Sequence, residues 1–570
     1  MPSTNAESAI WRPAPVPEAA VDVLVAGGVA PALAPLLARR GATDPDAARA
    51  FLEPSLDQLH DPKSLTGIDA AIERLAEARE RGERVAIVGD YDVDGVTGTA
   101  LLVAVLGACG IETEAILPHR VHDGYGFQPH LVDRALETGC GLIVTVDCGT
   151  TSVAAAEKAV AVGLDVVVTD HHLPGEARLP DEVVLINPRQ DGCGYPFDEL
   201  SGAGLAFKLA LAAAERLGRS FAVERLLRIA CLGTIADLVP LVDENRVIAK
   251  IGLGELAKTP SPGLQALIQV ARIKPPFSTE DVGFRLGPRL NAPGRLDSAD
   301  HALDLLLARD HARAKELAEQ LDTWNRERRD TEKRVVDEAL EMVEARESLP
   351  PIVVAWSDTW HRGVVGIAAG RLARRLHRPT ILLAVDGASA TGSGRSLEGV
   401  HLHGFLTQWE DELERFGGHA HAIGMTAEVA ELERLRPLWE EAAAEDETWM
   451  ATIARRRHEY ELAVDSCDVG DALVDDLARL EPHGQGNSRP LVRVYGPLEV
   501  IGTPRLFGRG HLEAMARGED GGAVRLLGWD WAEKRDRLLG SFEALGFVER
   551  DRYDRVGLRL VDVRPFDGTA

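Results

Sequence analysis

Residues 84–96 read "RVAIVGDYDVDGV": a short apolar run, Val85–Val88, closed by a glycine and followed by carboxylates at alternate positions, Asp90, Asp92 and Asp94. The run has the length and β-branched content of a buried strand. In an extended segment alternate side chains point to one side. Three like charges converging there repel one another and raise at least one pKa. A divalent cation among them turns that repulsion into coordination, because hard cations are held by carboxylate oxygens.

The strand signal repeats along the next hundred residues: "ETEAIL" (112–117), "GLIVTVD" (141–147), "DVVVTD" (165–170) and "VVLIN" (183–187). Between them lie Ala- and Leu-rich helical stretches, "VTGTALLVAVLGAC" (96–109) and "TTSVAAAEKAVAVG" (150–163). Continuous apolar strands alternating with helices predict a doubly wound, parallel α/β sheet covered on both faces. In such sheets the ligand crevice lies beyond the carboxyl ends of the strands. Asp147 ends one strand, and Asp170, His171 and His172 end another. A single Asp at a strand end is ordinarily a helix cap or a turn residue. Three polar clusters sent to one sheet edge read instead as a site.

Neutral imidazole is a good ligand for Mn²⁺-like ions, and a second His beside it can bind or protonate a phosphate oxygen. Asp237 adds a carboxylate inside the apolar run "GTIADLVPL" (233–241), where it needs a partner. Several Asp and a His at one site predict two divalent ions and metal-assisted phosphoester hydrolysis.

At 570 residues the chain predicts three or four domains. Its 45% hydrophobic and 27% charged content is ordinary for soluble globular protein. The net charge of −27 argues only superficially against nucleic acid, since a local basic channel can sit inside an acidic protein. No apolar run is long enough to span a bilayer, and "MPSTNAESAIWRPAPVPE" does not read as a secretion signal. Six scattered cysteines without a CxxC pair point to a reduced, cytoplasmic compartment and away from zinc. Residues 1–80 alternate short helical patterns with Pro-containing turns, and 300–348 read as a long polar helix. A second α/β segment runs from "PIVVAW" (351–356) to about 430. After a charged spacer, the short strand-like runs of 490–570 predict a small β-barrel.

The motifs "GDYDVDG" (89–95), "VTVDCG" (144–149), "TDHH" (169–172) and "IADLVP" (235–240) resemble, in order and spacing, the DHH phosphoesterase superfamily, and more closely its bacterial RecJ family of single-strand-specific exonucleases. The resemblance covers nearly the whole chain. It takes in "RGATDPDAARAFLEP" (40–54), "HDGYGF" (122–127), "RLGPRLNAPGRL" (285–296), "WHRGVVGIAAGRLA" (360–373), "GSGRS" (392–396), "FGGHAHAIGM" (416–425) and "EPHGQGN" (481–487). Val93, Gly98 and His483 depart from the commoner residues of that family, and none of them is a candidate ligand.

The resemblance implies an N-terminal helical segment (1–80), a DHH catalytic domain (81–300) and a connecting helix (301–349). A DHHA1 substrate-binding domain (350–430), a spacer (431–489) and an OB-fold (490–570) follow. It implies Asp90, Asp92 and Asp94 as metal ligands, Asp147 bridging two ions, His171 as a ligand and Asp237 completing the set. His172 would contact the scissile phosphate or assist the leaving group, with Asp170 orienting the histidines. Ser393 and Arg395, read as part of a Gly-rich turn, would hold the 5′ end of the strand. Arg120, Arg289, Asn291, Arg295 and His361 would contact the strand, which would pass close to Gly417, Gly418 and His419. Arg493, Tyr495, Arg505, Phe507, Arg509 and His511 are the barrel's candidates for binding single strands, and Trp529 and Trp531 read at least as readily as core.

By that resemblance the expected activity is 5′-to-3′ hydrolysis of single-stranded DNA to 5′-mononucleotides with Mn²⁺ or Mg²⁺, in repair and recombination. The expected enzyme is a monomer partnered by single-strand-binding protein and a repair helicase, with no membrane and no further C-terminal domain. Two rival readings are a phosphodiesterase of short oligonucleotides or cyclic dinucleotides, and a non-catalytic replication scaffold. Residues 490–570 weigh against the first, and retention of every candidate ligand weighs against the second.

Overall fold

A computed structural model describes residues 9–120, 123–508, 510–551, 553–566 and 568. The described chain forms two compact units, a larger one within 11–291, 299–318 and 458–570 and a smaller one of 9–10, 292–298 and 319–457.

The larger unit contains the expected parallel sheet. Its strands are β1 (Arg84–Gly89), β2 (Thr113–Ile116), β3 (Cys140–Val146), β4 (Asp165–Thr169) and β5 (Val184–Ile186). They lie in the order β2-β1-β3-β4-β5, all parallel. One face packs Ala86, Val88, Ile143, Val166 and Val168 against Leu131, Val132, Ala135, Ala155 and Ala159. Val85, Ile87, Leu142 and Val144 are buried as well, so the strands are apolar on both faces, which explains their continuous rather than alternating pattern. Helix Val93–Ala108 packs between the sheet and helices Gly202–Arg216 and Val223–Ala236. That position accounts for a helix apolar on nearly every side. Strand order reverses at β1, whose neighbours are β2 and β3, and the crevice of such a sheet opens at this reversal. Asp90 and Asp147 leave the ends of those two neighbouring strands, β1 and β3.

The barrel closes as a ring of Val492–Phe507, His511–Gly518, Ala523–Gly528, Val556–Pro565 and Phe542–Arg550, with Leu462–Val464 added in parallel outside it. Its core is shared with the N-terminal helices: Leu24, Leu33, Leu36, Leu37 and Ala48 pack in one cluster with Val492, Val494, Leu512, Phe542 and Leu558. Trp11 donates its indole N–H to Asp562 (2.8 Å). Trp531 belongs to this core, but Trp529 is half exposed, which corrects its reading as core. It meets Phe507 and His511 edge-on at 5.7 and 4.7 Å between ring centroids. Arg509 and His122 lie outside the described residues.

The smaller unit carries a mixed sheet in the order Arg415–His419, Ala422–Glu428, Ser389–Arg395, Thr380–Asp386, Val353–Ser357. Here "GSGRS" is not a turn. Gly392 to Arg395 run in the central strand, with Ser389–Arg395 paired along its length on both sides. A Cβ on Gly392 would lie 2.1 Å from the Leu382 carbonyl oxygen, and one on Gly394 2.6 Å from Ile423 Cγ1. The glycines serve close packing of strand on strand, and an amide cradle for phosphate is not available there. The polar tract 300–348 holds two helices, Asp300–Leu307 and His311–Glu344, rather than one. They part before Asp310, whose carboxylate accepts from the Ala312 and Arg313 amides and so starts the second.

A candidate metal centre at the sheet edge

The segment after β1 does not stay extended. Asp92 caps helix Val93–Ala108, its Oδ1 accepting from the Asp94 amide (2.9 Å) and the Gly95 amide (3.3 Å). The turn of helix separates the carboxylates that simple alternation would have set side by side. Asp90 and Asp92 group with Asp147, while Asp94 groups with His171 and Asp237, the ligand atoms of each triad lying within 4.8 Å of one another. The expected convergence of three carboxylates on one point is thereby corrected to two adjoining triads, joined by a third of Asp147, His171 and His172. Asp147 touches both: His171 Nε2 lies 3.1 Å from Asp147 Oδ1, 3.5 Å from Asp237 Oδ2 and 4.0 Å from Asp94 Oδ2. Asp92 is therefore both a cap and a candidate ligand.

Local structure fixes each group. Asp147 has φ +61°, a left-handed conformation that Asp accepts better than most residues. Asp94 is held by the first amides of helix Gly202–Arg216, its carboxylate accepting from Gly202 N (2.6 Å) and Ala203 N (3.0 Å). Gly202 is required there, since a Cβ would lie 2.4 Å from the Asp147 Cβ. Asp170 is not a ligand candidate. It accepts from the Thr150, His171 and His172 amides and from His172 Nδ1 (2.7 Å), so it orients the histidines as expected.

Tyr125 of "HDGYGF" is not among the residues expected at the site, yet its hydroxyl lies 3.1 Å from His172 Nε2. An aromatic between two glycines just upstream of a sheet-edge site was the available signal. The Ser201 cap and the Gly202–Ala203 amides were missed too, although "SGAG" before an apolar helix announces them.

Several buried atoms have no hydrogen-bond partner: Asp90 Oδ1, Asp147 Oδ1, and both ring nitrogens of His171. The Asp147–His171 approach, though short, does not align as a hydrogen bond. Orphaned buried acceptors need an explanation, and divalent cations bound by carboxylate and imidazole fit these donors.

The electrostatics agree. Burial and the Asp92 charge push Asp90 and Asp94 up to about 7. Burial and the Asp94 charge push Asp237 up to about 9 and Asp147 well up. Burial and the His172 charge push His171 down to about 4. Burial opposes ionisation of Asp170, but its bond and charge contact with His172 prevail and hold it at about 2. Burial lowers the His172 pKa, the Asp170 contact raises it further, and the net shift is upward.

A pH dependence follows. The folded protein without metal keeps protons on Asp90, Asp94 and Asp237 that the unfolded chain has released above about pH 4. Their contribution is complete below that pH and is lost as pH rises through 7 and then 9. His171 works the other way, but only between about 4 and its ordinary value of 6.5. Above pH 6.5, stability in EDTA should fall with pH by up to about 1.4 kcal/mol per unit for each proton retained. Saturating Mn²⁺ should abolish the fall, because ligands bind it deprotonated. Denaturant melts at pH 6.5–9 read this directly, and equal slopes with and without Mn²⁺ would contradict it.

The expected strand-binding residues fall into local groups. In the larger unit, the Arg120 guanidinium lies 4.0 Å from the Tyr91 ring centroid with its Nε buried and unpartnered. Arg289, Asn291 and Arg295 share helix Gly287–Leu296. Arg289 donates to the Arg285 carbonyl (2.7 Å), Asn291 Oδ1 is buried without a partner, and Arg295 donates to the Gly363 carbonyl (3.2 Å). His361 caps helix Arg362–Leu376, accepting from the Gly363 amide (3.1 Å). Arg295 and His361 belong to the smaller unit, as do Ser393 and Arg395, which stand together under that helix, where a Cβ on Gly366 would lie 3.2 Å from Ser393 Oγ and 3.4 Å from Arg395 Nη2. Gly417 pairs with Gly424, and Gly424 with Ser393. Both glycines have open space where a Cβ would stand, which leaves a bare strip of backbone leading to Ser393. Gly418 (φ +138°) and exposed His419 follow on the edge strand.

Three family models match: the DHH family N-terminal domain over residues 84–234, the DHHA1 domain over 349–445 and the RecJ OB domain over 460–556. The single-stranded-DNA-specific exonuclease RecJ of Bacillus subtilis is 40% identical over 472 residues, covering 82% of this chain and 59% of that protein. The RecJ of Salmonella typhimurium is 37% identical over 515 residues, covering 86% of this chain and 88% of that one. The chain thus spans less than two thirds of the Bacillus relative and most of the Salmonella relative. Crystal structures of Thermus thermophilus RecJ match at TM-score 0.80 with Mn²⁺ (30% identity) and 0.78 with Mg²⁺ (28% identity). Both cover 98% of this chain, and 80% and 79% of the Thermus chain respectively.

Proposed function

The chain belongs to the RecJ family of single-stranded-DNA-specific exonucleases, and from that premise we propose that it hydrolyses single-stranded DNA from the 5′ end to 5′-mononucleotides with two divalent cations, Mn²⁺ or Mg²⁺. The observation that carries this reading is the pair of triads meeting at Asp147 and His171, with buried acceptor atoms left over. When bound, the cations would supply an activated water and charge neutralisation for an in-line displacement. Asp90, Asp92 and Asp147 would hold one, Asp94, His171 and Asp237 the other, with Asp147 serving both.

The chain's remaining groups act on the phosphate. Asp170 holds His172 by Nδ1 and favours its charged form, in which Nε2–H would donate to a phosphate oxygen or to the departing 3′ oxygen. The Tyr125 hydroxyl, 3.1 Å from the same Nε2, would give up that contact to the phosphate. Ser393 and the half-buried Arg395 would take the 5′-terminal phosphate, a planar guanidinium being suited to two phosphate oxygens at once. The bare strip at Gly417 and Gly424 would let a strand backbone pass closely, and Arg120, Arg289, Asn291, Arg295, His361 and His419 would contact its phosphates. On the barrel, Phe507, His511 and Trp529 would stack bases. The setting we propose is cytoplasmic DNA repair and recombination, the protein acting as a monomer beside single-strand-binding protein and a helicase.

One digestion tests polarity and substrate together. A single strand labelled at either its 5′ or its 3′ end is incubated with Mn²⁺ and with EDTA. Immediate release of a 5′-labelled mononucleotide, with Mn²⁺ only, is the expected result. An intact strand beside cleavage of di- to pentanucleotides would replace the substrate and keep the metal chemistry.

A further inference from the structure

The motif "EPHGQGN" (481–487) precedes the barrel and has no part in the chemistry above, yet it lies against the turn that carries Asp237. Asp237 ends helix Val223–Ala236. The next residue, Leu238, is 71% exposed with φ +63°, and Asp243 has φ +45°. Left-handed backbone is disfavoured at non-glycine residues and persists only where the surroundings impose it. Leu238's own side chain, being exposed, contributes little to that. Two contacts hold the far side of the turn. The Pro240 carbonyl accepts from Asn245 Nδ2 (3.1 Å), and the Leu241 amide donates to the Gln485 carbonyl (2.7 Å). The loop backbone presses on the same residues. A Cβ on Gly484 would lie 2.6 Å from Leu241 Cδ1, and one on Gly486 (φ +70°) 3.0 Å from the Pro240 Cβ.

The loop is itself unusually fixed, since every carbonyl from Leu480 to Gln485 accepts a hydrogen bond. Arg246 takes Leu480 (3.0 Å), Glu481 (3.0 Å) and Pro482 (3.3 Å), and Thr279 Oγ1 takes His483 (2.6 Å). The Asn487 amide takes Gly484 (3.2 Å), completing a tight loop with the Gly484 N–H to Asn487 O bond (2.9 Å). Asn487, fully buried, donates its side chain to Leu480 and Pro482 (2.8 Å each) and accepts from Arg40 Nε (2.6 Å). Five residues later the first barrel strand begins at Val492.

We propose that loop 481–487 is a positioning element of the metal centre, a brace that holds the Asp237 turn so that its carboxylate stays beside His171 and Asp94. The proposal rests on the metal-site reading above and adds to it a physical link between the barrel and one ligand. None of these loop residues touches the reacting atoms, so the effect must appear in cation affinity and turnover while strand binding is spared.

The test uses the full chain. Gly486→Ala pushes a methyl group onto Pro240, and Gly139→Ala, at an equally left-handed glycine (φ +74°) with open space around it, controls for backbone strain. Calorimetric Mn²⁺ titration should show about tenfold weaker binding at one site in Gly486→Ala, the size usual for loss of an outer support. It should show no change in Gly139→Ala. Turnover should fall by a similar factor with KM for a single-stranded oligonucleotide within about twofold. Restoring space with Pro240→Gly in the Gly486→Ala background should recover part of the Mn²⁺ affinity. Wild-type Mn²⁺ binding by a folded Gly486→Ala would overturn the brace. If that variant does not fold, Thr279→Val, which deletes only the bond to His483, carries the same reading with a smaller weakening, and unchanged affinity there also overturns it. Asp237→Ala run alongside separates the two levels: if it too leaves Mn²⁺ binding intact, the metal-site reading fails rather than the brace.

Discussion

Asp147→Asn is expected to lower exonuclease turnover by about three orders of magnitude while leaving the metal-free protein at least as stable as the parent. Asp147 is the one carboxylate that meets both triads, and loss of its charge weakens the hold on both cations at once. Metal stabilisation of a phosphoryl transition state is worth several kcal/mol, and about 4 kcal/mol corresponds to a factor of about a thousand. Stability moves the other way. Burial and the Asp94, Asp92, Asp237 and Asp90 charges all oppose ionisation of Asp147, so a neutral amide relieves repulsion in the absence of metal. Asn also accepts the left-handed backbone at this position, so the substitution adds little strain. Initial rates on a 5′-labelled oligonucleotide and melting in EDTA measure the two halves. A variant that kept more than about a tenth of the parental rate would remove Asp147 from the centre of the mechanism.

The largest effect on folding is expected at a position with no chemistry. Lys208 and Glu244 form an ion pair with both side chains fully buried. The rest of the network is satisfied: Lys208 Nζ also donates to the His60 carbonyl (2.7 Å). Glu244 accepts from the His60 amide (2.8 Å) and the Tyr195 hydroxyl (2.6 Å). Burial pulls the Lys208 pKa down and the Glu244 charge raises it again, without full recovery. Removing one member of such a pair leaves a buried charge uncompensated, at about 3–5 kcal/mol. Lys208→Met should therefore destabilise the protein by that amount in urea titration. Lys208→Met with Glu244→Gln should cost clearly less than the two single changes added together. Additive costs would mean that the pair is not coupled and that the loss at Lys208 is one of packing alone.

The sheet and most of the candidate ligands could be read from the sequence because both depend on local signals. Uninterrupted β-branched runs mark strands buried on two faces, and polar residues at their ends are delivered to one edge by the topology. What could not be read depends on neighbours distant in the chain. The grouping of Asp94 with His171 and Asp237 follows from Asp92 starting a helix at Val93, a capping signal that was present but outweighed by the alternating pattern. "GSGRS" has the composition of a turn and lies in a strand because Leu382 and Ile423 leave no room for side chains. Lys208 sits in an apolar helical stretch, and nothing nearby in sequence announces that Glu244 will meet it.

The core shared by the N-terminal helices and the closing barrel has a consequence for how the chain is made. Leu24, Leu33 and Leu37 have their apolar partners at Val492, Phe542 and Leu558, so helices made before the parallel sheet wait for strands made after it. At about 5–20 residues per second the wait is on the order of 20–90 s. Through that interval a leucine-rich surface has no native partner, while the parallel sheet between can already have formed. Nascent chains halted before residue 492 should therefore engage chaperones through residues 18–52, and release should coincide with synthesis of the barrel.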